Sequence, residues 1–457
     1  MRRQEAPQLE RRGAWILLGT LGALVALNVP ELGSQAWPFH PGAVHPHGIL
    51  GPLVRAAHRR WDLGVIRSVA VLAGVLVAAA AVVGWRAASW RRNLSLSLAL
   101  AVVVLLLVPA LLLQVGLRQA TRPWFHVNDS TYQIELAGEL VRHGHTPYGH
   151  DYSHSGLERF YSLDGTVKPG TREHQVALRH FAYFPGAALT AAVWGLLPSP
   201  FDDYRFLVLL ASLGLFFAVL AIRAPFPWKL AVAAFVAANP LVVRAAWFGT
   251  ADAPSLFFLI LSFALVTRSR YFAAAASLGA AILLKQFALV ALPFLAAMLI
   301  VRRVPRPVLW RAGGVFGGVL AAGILPFLIA DPGAFWRDTI SYGAGTYRII
   351  GYGLAALLLR AHILHHRFGY YPFLPLLLVV WLPVTAWLVW NQLRSAALWV
   401  GAAGFTVSMF LLLFLGRVFQ NSYFVWPLAG IALACVLATG EPGVRRETAA
   451  SEPAPRP

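Results

Sequence analysis

RQATRPWFHVNDS, residues 118–130, opens the longest polar interval of a chain that otherwise consists of apolar runs. The interval spans residues 118–182 and leads into HFAYFPG at residues 180–186. It contains seven of the fourteen histidines, together with Asp129, Glu135, Glu139, Asp151, Glu158, Asp164 and Glu173. A chain that gathers its acids and histidines in one loop is expected to perform its chemistry there. We therefore interpret Asp129 as the reactive centre and the apolar runs as its scaffold.

The composition indicates a membrane protein. Hydrophobic residues make up 58% of the chain and charged residues 12%, whereas about a quarter of the residues of a soluble domain are charged. Long apolar runs recur from end to end, which predicts an all-α polytopic membrane protein with one membrane domain. A composition rich in Ala, Arg and Gly, with only three lysines, favours a bacterium with a GC-rich genome, and hence its cytoplasmic membrane.

The formal net charge of +19 does not indicate nucleic-acid binding. The basic residues form short clusters between apolar runs, as helix-end anchors do, and no basic stripe with interleaved aromatic residues is present. Part of the charge can instead hold anionic membrane lipids or a lipid phosphate. The single cysteine, Cys435, excludes a disulfide within the chain and a cysteine-based metal site. No nucleotide-binding fingerprint is present.

Hydropathy predicts a transmembrane bundle of about 11–13 helices. The predicted spans are 14–30, 63–84, 94–117, 183–198, 206–222, 229–246, 253–266, 271–301, 312–330, 372–390, 396–415 and 422–439. Arginine clusters place the loops after the second span and before residue 312 in the cytoplasm, together with both chain ends. The clusters are Arg2, Arg3, Arg11 and Arg12, then Arg86, Arg91 and Arg92, then Arg302, Arg303, Arg306 and Arg311, and finally Arg445 and Arg446. Residues 118–182 are then a large extracytoplasmic loop, 331–371 a second outer loop, and 441–457 a disordered cytoplasmic tail.

Two counts of the spans disagree about Asp252. Counting from the N-terminus and counting back from the Arg302 cluster place it on opposite sides of the membrane. One segment between the first loop and Asp252 must therefore lie at the surface or cross only half of the membrane. Our candidate is 229–246, because it is short and contains Asn239-Pro240. Lys285-Gln286 interrupts the run 271–301 and is predicted to lie outside, at the tip of a short hairpin.

Asp129 lies about a dozen residues after the third span, at the start of a predicted surface helix over 129–143. A carboxylate near the outer membrane surface can accept a proton from a sugar hydroxyl or hold a divalent metal. The alternative is that Asp129 only caps the helix. Tyr148 and Tyr183 can stack on a sugar ring, while Pro147 and its neighbouring glycines have turn-forming roles.

Further candidates lie closer to the apolar runs. Asp252 is an ionisable residue near a membrane boundary, and either contributes to function or faces water at the interface. Lys285, within an apolar run, is paired, snorkelling or a phosphate ligand, and Arg348 and Arg417 can also bind phosphate. Gln420 and Asn421 can bind sugar hydroxyls. A zinc site is a weak reading of His143, His145, His150 and His154, because Pro and Gly residues interrupt any common helix face.

The order of these motifs resembles the GT-C superfamily of membrane glycosyltransferases, most closely the bacterial polyprenyl-phosphate-dependent mannosyl- and arabinosyltransferase-like families. The resemblance covers roughly residues 115–425. The motifs that carry it are Asn128-Asp129, Pro147-Tyr148, Tyr183-Phe-Pro-Gly186, Asn239-Pro240 with Asp252, Leu284-Lys285 and Phe419-Gln-Asn-Ser-Tyr423. It implies a GT-C-like catalytic domain at 94–440 with 118–182 as its catalytic loop. Residues 1–93 add two spans of unknown role.

The resemblance also implies an inverting transfer from a lipid-phosphate sugar outside the cytoplasmic membrane. Asp129 would then deprotonate the acceptor, a lipid or a glycan, while Lys285 and Arg348 stabilise the departing lipid phosphate. Asn128 precedes Asp129 and no second acid lies directly beside it, so a requirement for Mg²⁺ or Mn²⁺ stays open.

Two other functions remain alternatives. A transporter or flippase of lipid-linked sugars can use the same basic and aromatic residues without breaking a bond, but transporters often contain internal repeats. The sequence shows no convincing repeat, and its acids lie in one loop instead of along mid-membrane helices. These two features favour the enzyme. The third reading is a non-catalytic assembly protein built on a decayed transferase scaffold.

Overall fold

The computed structural model describes residues 2–33, 44–60, 63–85, 89–161, 168 and 170–440. The predicted tail at 441–457, together with Arg86 and Asp164, lies outside the described residues.

The described chain is helical over most of its length. Its α-helices are α1 (Arg2–Gly33), α2 (Gly51–Arg60), α3 (Leu63–Gly84), α4 (Ser89–Gln119), α5 (Asp129–Arg142), α6 (Arg172–Ala177), α7 (Pro185–Trp194), α8 (Arg205–Leu220), α9 (Phe226–Ala238), α10 (Pro240–Phe248), α11 (Ala253–Thr267), α12 (Tyr271–Leu284), α13 (Leu292–Val301), α14 (Arg306–Ala330), α15 (Pro332–Trp336), α16 (Leu354–Arg360), α17 (Phe373–Leu376), α18 (Leu382–Ser395), α19 (Leu398–Leu415) and α20 (Val425–Gly440). Shorter 3-10 helices cover Leu157–Phe160, Gln286–Ala291 and Asn421–Phe424, and π-helices cover Arg337–Thr346 and Leu377–Trp381.

Seven helical stretches among the described residues are long and apolar enough to cross a membrane, or eight if α9 and α10 count as one bent span. They are Arg12–Pro30, Arg67–Gly84, Trp90–Gln119, Arg306–Ala330, Phe373–Ser395, Leu398–Leu415 and Asn421–Gly440. A multi-pass helical membrane protein is therefore confirmed. The predicted count of 11–13 is higher than seven or eight, because several apolar runs form helices shorter than a span.

Residues 183–198 show why the count is lower. Only Pro185–Trp194 is helical there, which gives a length of about 15 Å, whereas a bilayer core is about 30 Å thick. This segment is too short to cross the bilayer. It is therefore a second candidate, beside 229–246, for the non-crossing segment that the two counts for Asp252 require. The segment 229–246 is divided at Asn239, where α9 and α10 meet with a bend of 42°. That it crosses only half of the membrane or lies at its surface stays a prediction.

The amide side chain of Asn239 starts α10, because its oxygen accepts the N–H groups of Leu241 and Val242. The run 271–301 is also interrupted at the predicted place, where Lys285 adopts an extended backbone between α12 and a 3-10 helix. The position of Lys285 differs from the prediction, because its side chain is buried and not at an exposed hairpin tip.

Apolar side chains of the described N-terminal helices α1, α2 and α3 belong to the same hydrophobic core as the rest of the bundle. Helices α1 and α3 cross closely at two glycines, since a Cβ on Gly22 would lie 2.7 Å from the backbone oxygen of Gly74. Small residues permit this kind of approach between apolar helices. The extra N-terminal helices are therefore an integral part of the bundle.

The two predicted outer loops contact each other. Strand β1 (Ile350–Gly351) of the second loop also pairs in parallel with β2 (Val418–Phe419), which lies between α19 and α20. Asp338 accepts hydrogen bonds from the backbone N–H groups of Gly149 and Phe181, at 2.8 and 3.2 Å. Its other carboxylate oxygen lies 2.8 Å from Nδ1 of His180. The second loop is thereby fixed against the first, on the side of the molecule that carries Asp129.

Candidate active site

Asp129 is the first residue of α5, which confirms the helix predicted over 129–143. Asn128 occupies the N-cap position, and its side-chain oxygen accepts the Ser130 N–H at 3.0 Å. Asp129 Oδ1 accepts the same N–H at 2.8 Å, and Oδ2 lies 3.5 Å from the hydroxyl of Tyr161. Because Asn128 holds the cap position, capping does not by itself account for Asp129.

Helix α5 is held in place by a buried network of charges beside Asp129. Arg118 forms a bidentate pair with Glu135, with distances of 3.0 and 2.6 Å, and also contacts Asp203 at 2.9 Å. Arg205 pairs with Asp203 at 2.6 Å and donates to the His126 carbonyl. Two cations and two acids balance each other here, so the network is structural and fixes the start of the polar loop.

Tyrosines surround Asp129. Tyr161, Tyr183, Tyr342, Tyr347 and Tyr423 interact electrostatically with its carboxylate. We call these five residues the tyrosine cluster. They come from the first loop, the second loop and the segment before α20, so the contact between loops assembles the cluster. Burial raises the pKa of Tyr347 to about 12, and those of Tyr161 and Tyr342 well above their ordinary value, so these hydroxyls stay protonated at neutral pH.

The carboxylate of Asp129 is half-buried. Burial raises its pKa above the ordinary value, and this outweighs the opposing effects of the Ser130 N–H and the positive charge of Arg348. No basic side chain among the described residues forms an ion pair with it. A half-buried carboxylate without a cationic partner is a stronger base than an exposed aspartate, and such groups are concentrated at functional sites.

Arg348 is the predicted cation that the structure brings to Asp129. Its guanidinium lies 5.9 Å from the ring centroid of Tyr161, and its charge acts on the Asp129 carboxylate. Its Nε has no hydrogen-bond partner, and the residues that the structure describes provide no acidic partner either. Arg348 therefore keeps donor capacity for an anion.

A cavity of about 290 Å³ adjoins Asp129 through Asn128. Gln420 and Asn421, both predicted to bind sugar hydroxyls, line it together with Arg244 of α10 and Thr250. The volume is close to the lower limit of small-ligand pockets, about 300 Å³. The cavity contains amide and hydroxyl groups that suit a polyhydroxylated ligand.

The structure pairs Asp252 with Lys285 instead of placing either at a solvent-facing site. Lys285 Nζ lies 2.6 Å from Asp252 Oδ1, which also accepts the indole N–H of Trp426 at 2.7 Å. Asp252 is 2% exposed and Lys285 6%. The predicted role of Lys285 as a phosphate ligand does not fit this position, because a buried partner already neutralises its charge. Lys285 still touches the site, since its Nζ lies 5.1 Å from the ring centroid of Tyr423.

Two further candidates are structural. Tyr148 is 2% exposed, donates its hydroxyl to the Tyr183 carbonyl at 2.9 Å, and packs its ring against Phe335, so it offers no face to a sugar. Arg417, also 2% exposed, donates to the carbonyls of Tyr347, Gly369 and Arg367. It fixes the backbone next to Arg348 and has no donors aimed at a phosphate. Tyr183 remains half-buried in the tyrosine cluster.

Several residues of the site were not predicted. Arg244 is the main omission: it lines the cavity, and within the described ranges it forms no ion pair. The sequence signal for Arg244 is an arginine inside the segment 229–246, which the sequence predicts to cross only half of the membrane or to lie at its surface. Tyr161, Tyr342 and Tyr347 were also missed, because only contact between distant loops brings them together.

The histidine-rich spacing does not form a metal centre. Within the parts of the chain that the structure describes, no group of three or more His, Cys, Asp or Glu side chains could hold a metal ion. His150 meets Tyr152 edge-to-face with 5.0 Å between ring centroids, and His143 contacts its own helix at the Glu139 carbonyl. Among the described residues, Asp129 is not part of a carboxylate group of the kind that Mg²⁺ and Mn²⁺ sites use.

Comparison with protein families, with curated proteins and with solved structures finds no match to this chain.

Proposed function

We propose that this protein is a membrane glycosyltransferase that moves a mannose- or arabinose-like sugar from a polyprenyl-phosphate donor to a lipid or glycan acceptor. The reaction would take place on the extracytoplasmic face of a bacterial cytoplasmic membrane. The observation that carries the proposal is Asp129: a half-buried carboxylate with a raised pKa, without a basic partner, beside a cation and a polar cavity.

Asp129 suits the role of general base. Its Oδ2 takes the proton of the acceptor hydroxyl as that oxygen attacks the anomeric carbon of the sugar. The bond between the anomeric carbon and the phosphate oxygen breaks, and its electron pair leaves with the lipid phosphate. Attack from the face opposite the phosphate inverts the configuration of the anomeric carbon. A base with a raised pKa accepts the proton more readily than an exposed aspartate does.

Arg348 suits the role of stabilising the departing phosphate. It has free donor capacity and lies close enough to Asp129 to act on its charge. Arg244 is a second cation at the cavity. A guanidinium can bind a phosphate through two hydrogen bonds, and charge stabilisation of this kind often supplies the largest part of catalysis. The protonated hydroxyls of the tyrosine cluster and the amides of Gln420 and Asn421 can orient the sugar.

A transfer assay tests the proposal. Purified protein in lipid vesicles is given radiolabelled polyprenyl-phosphate mannose or arabinose, an acceptor lipid extract, and either Mg²⁺, Mn²⁺ or a chelator. We expect label to move from donor to acceptor with wild type and with Asp202→Asn, and not with Asp129→Asn. Asp202 is an exposed acid in the neighbouring turn, so it controls for the loss of one carboxylate. Equal transfer by all three proteins would exclude Asp129 as the base.

One observation favours a transporter or flippase as a second candidate. Two interrupted helices, one broken at Asn239 and the other at Lys285, lie next to a buried ion pair. Interrupted helices with buried charges form the substrate sites of many transporters. The same vesicles distinguish the two functions, because a flippase moves the intact labelled lipid between leaflets and leaves the sugar–phosphate bond intact.

A further inference from the structure

A second charged cavity lies at the end of the bundle opposite Asp129. It is a recess that opens widely to the surface, with a volume of about 530 Å³, and Arg223, Lys229, Arg268 and Thr439 line it. We call it the basic cavity. Its position follows from α8, which begins at Arg205 beside the Asp129 loop and ends just before this cavity. Arg92, which lies near it, is separated from the loop by most of α4, roughly 40 Å at 1.5 Å per residue.

Positive charges converge on the basic cavity from four separate segments. Arg92 of α4 and Arg268, just after α11, lie close enough to repel the charge of Lys229 in α9, and Arg223 follows α8. None of the lining residues is acidic, and none of these four cations forms an ion pair with a residue that the structure describes. Like charges held together in this way favour an anion between them.

The protein itself uses only part of the hydrogen-bonding capacity of these cations. Lys229 donates to the Leu220 carbonyl at 3.2 Å, and Arg268 donates to the Ala221 carbonyl. These two contacts complete the carbonyl end of α8, where cations are favourable. They account for one donor on each side chain, whereas an ammonium and a guanidinium each carry several. Arg223 adds an exposed guanidinium at the edge of the same cavity.

We propose that the basic cavity binds the phosphate group of an anionic membrane lipid. The apolar helices α8, α11 and α20 all end beside it, so it lies where apolar surface gives way to polar surface. A lipid can place its phosphate among the cations there while its acyl chains stay against the helices. Ile222 and Pro225 supply apolar lining for the part of the lipid next to the phosphate. This site is independent of the glycosyltransferase proposal.

Lipid binding to the full-length protein tests the inference. The protein is reconstituted into phosphatidylcholine nanodiscs with increasing phosphatidic acid, and bound phosphatidic acid is counted by native mass spectrometry. We expect the double variant Arg223→Gln/Arg268→Gln to bind phosphatidic acid about tenfold more weakly than wild type, because two charge-assisted contacts are lost. The control Arg306→Gln/Arg311→Gln removes the same charge from exposed positions of α14 and should bind like wild type.

Two results would overturn the inference. Equal binding of phosphatidic acid by the two double variants would show that the lipid associates with the protein through general charge and not at a specific site. Saturable binding of inorganic phosphate in detergent, lost in Arg223→Gln/Arg268→Gln, would identify a soluble ligand instead of a lipid.

Discussion

Asp129 and Asp252 look equivalent in the sequence and have opposite surroundings in the structure. Each stands at the start of a helix next to an apolar segment. Asp252 is buried and bonded to Lys285 and Trp426, whereas Asp129 is half-buried and forms no ion pair with a described side chain. Removing one partner from a buried ion pair is destabilising, whereas an acid without an ion-pair partner keeps its basicity. The comparison therefore favours a structural role for Asp252 and supports the catalytic role that we propose for Asp129.

The basic residues that the sequence or the structure connects with the site also differ in whether they have bonding partners. Lys285 is neutralised by Asp252, and Arg417 is bonded to three backbone carbonyls. Arg348 and Arg244 instead lie next to Asp129 and to the cavity, without acidic partners in the described part of the chain. Of the cations on this side of the molecule, those next to Asp129 and its neighbouring cavity are therefore the ones that keep unused bonding capacity. Substitutions at the satisfied and the unsatisfied groups should give opposite results.

The largest effect is expected from Asp129→Asn on catalysis. Loss of a general base typically slows a reaction about a hundredfold to ten-thousandfold, so turnover should fall about a thousandfold. The unfolding midpoint should not fall. Since burial raises the pKa of Asp129, its protonated carboxyl contributes to folded-state stability below its ordinary pKa of 3.8, and this contribution is lost as the pH rises through the folded-state pKa. At pH 7 a neutral asparagine therefore removes the unfavourable burial of a charged carboxylate.

The measurement is initial-rate transfer alongside unfolding by detergent titration, with Asp202→Asn as the matched acid-to-amide control. A variant that loses activity and stability together would place Asp129 with Asp252, as a structural acid, and the comparison would fail.

Asp252→Asn and Lys285→Ala should give the reverse pattern. Removing one partner leaves the other charge buried and uncompensated, which costs about 3–5 kcal/mol of unfolding free energy. The protein that remains folded should keep most of its turnover and its donor KM. Detergent-titration unfolding measures the loss, and the double variant Asp252→Leu/Lys285→Met should recover much of it by replacing the pair with apolar side chains. A large rise in donor KM for Lys285→Ala with unchanged stability would restore Lys285 as a phosphate ligand.

The sequence predicted the local features of this molecule better than its long-range ones. The membrane class, the helix at 129–143 and the interruption at Lys285 each depend on neighbouring residues, and each is confirmed. The pairing of Asp252 with Lys285 joins residues on different helices, so spacing along the chain gave no signal for it. The span count failed because hydropathy records where a run is apolar and does not show where its helix ends.

The difference between local and long-range features also explains which residues of the site were predicted and which were missed. Asn128, Gln420 and Asn421 were predicted from motif order, and the structure places all three at one cavity. Tyr148 was a candidate because an aromatic ring can stack on a sugar, yet its ring fills the core between the loops. The tyrosine cluster needs both loops at once, and a contact such as that of Asp338 with Gly149 and Phe181 is not readable from either loop alone.

Arg348→Gln should have an intermediate effect. Losing a charge-assisted contact to the donor phosphate should raise donor KM about tenfold and also lower kcat, because charge builds up on the phosphate as it leaves. Saturation curves with the labelled donor measure both constants. Arg337→Gln, an exposed arginine in the same loop, is the control and should leave both unchanged. Equal effects of the two variants would point to the general charge of the loop instead of a contact at Asp129.

The smallest effect is expected from Tyr161→Phe on the pH dependence of transfer. A general base works when it is ionised, so kcat/KM should fall on the acid side as Asp129 becomes protonated. That fall should come at a pH above the ordinary aspartate pKa of 3.8, because burial raises the pKa of Asp129. The Tyr161 hydroxyl, 3.5 Å from Oδ2, favours the carboxylate form. Its removal should move the acid limb to still higher pH with little change in the maximal rate. The control Tyr370→Phe, at an exposed tyrosine, should leave the pH profile unchanged. An acid limb that moved to lower pH in Tyr161→Phe would mean that a group other than Asp129 is titrating.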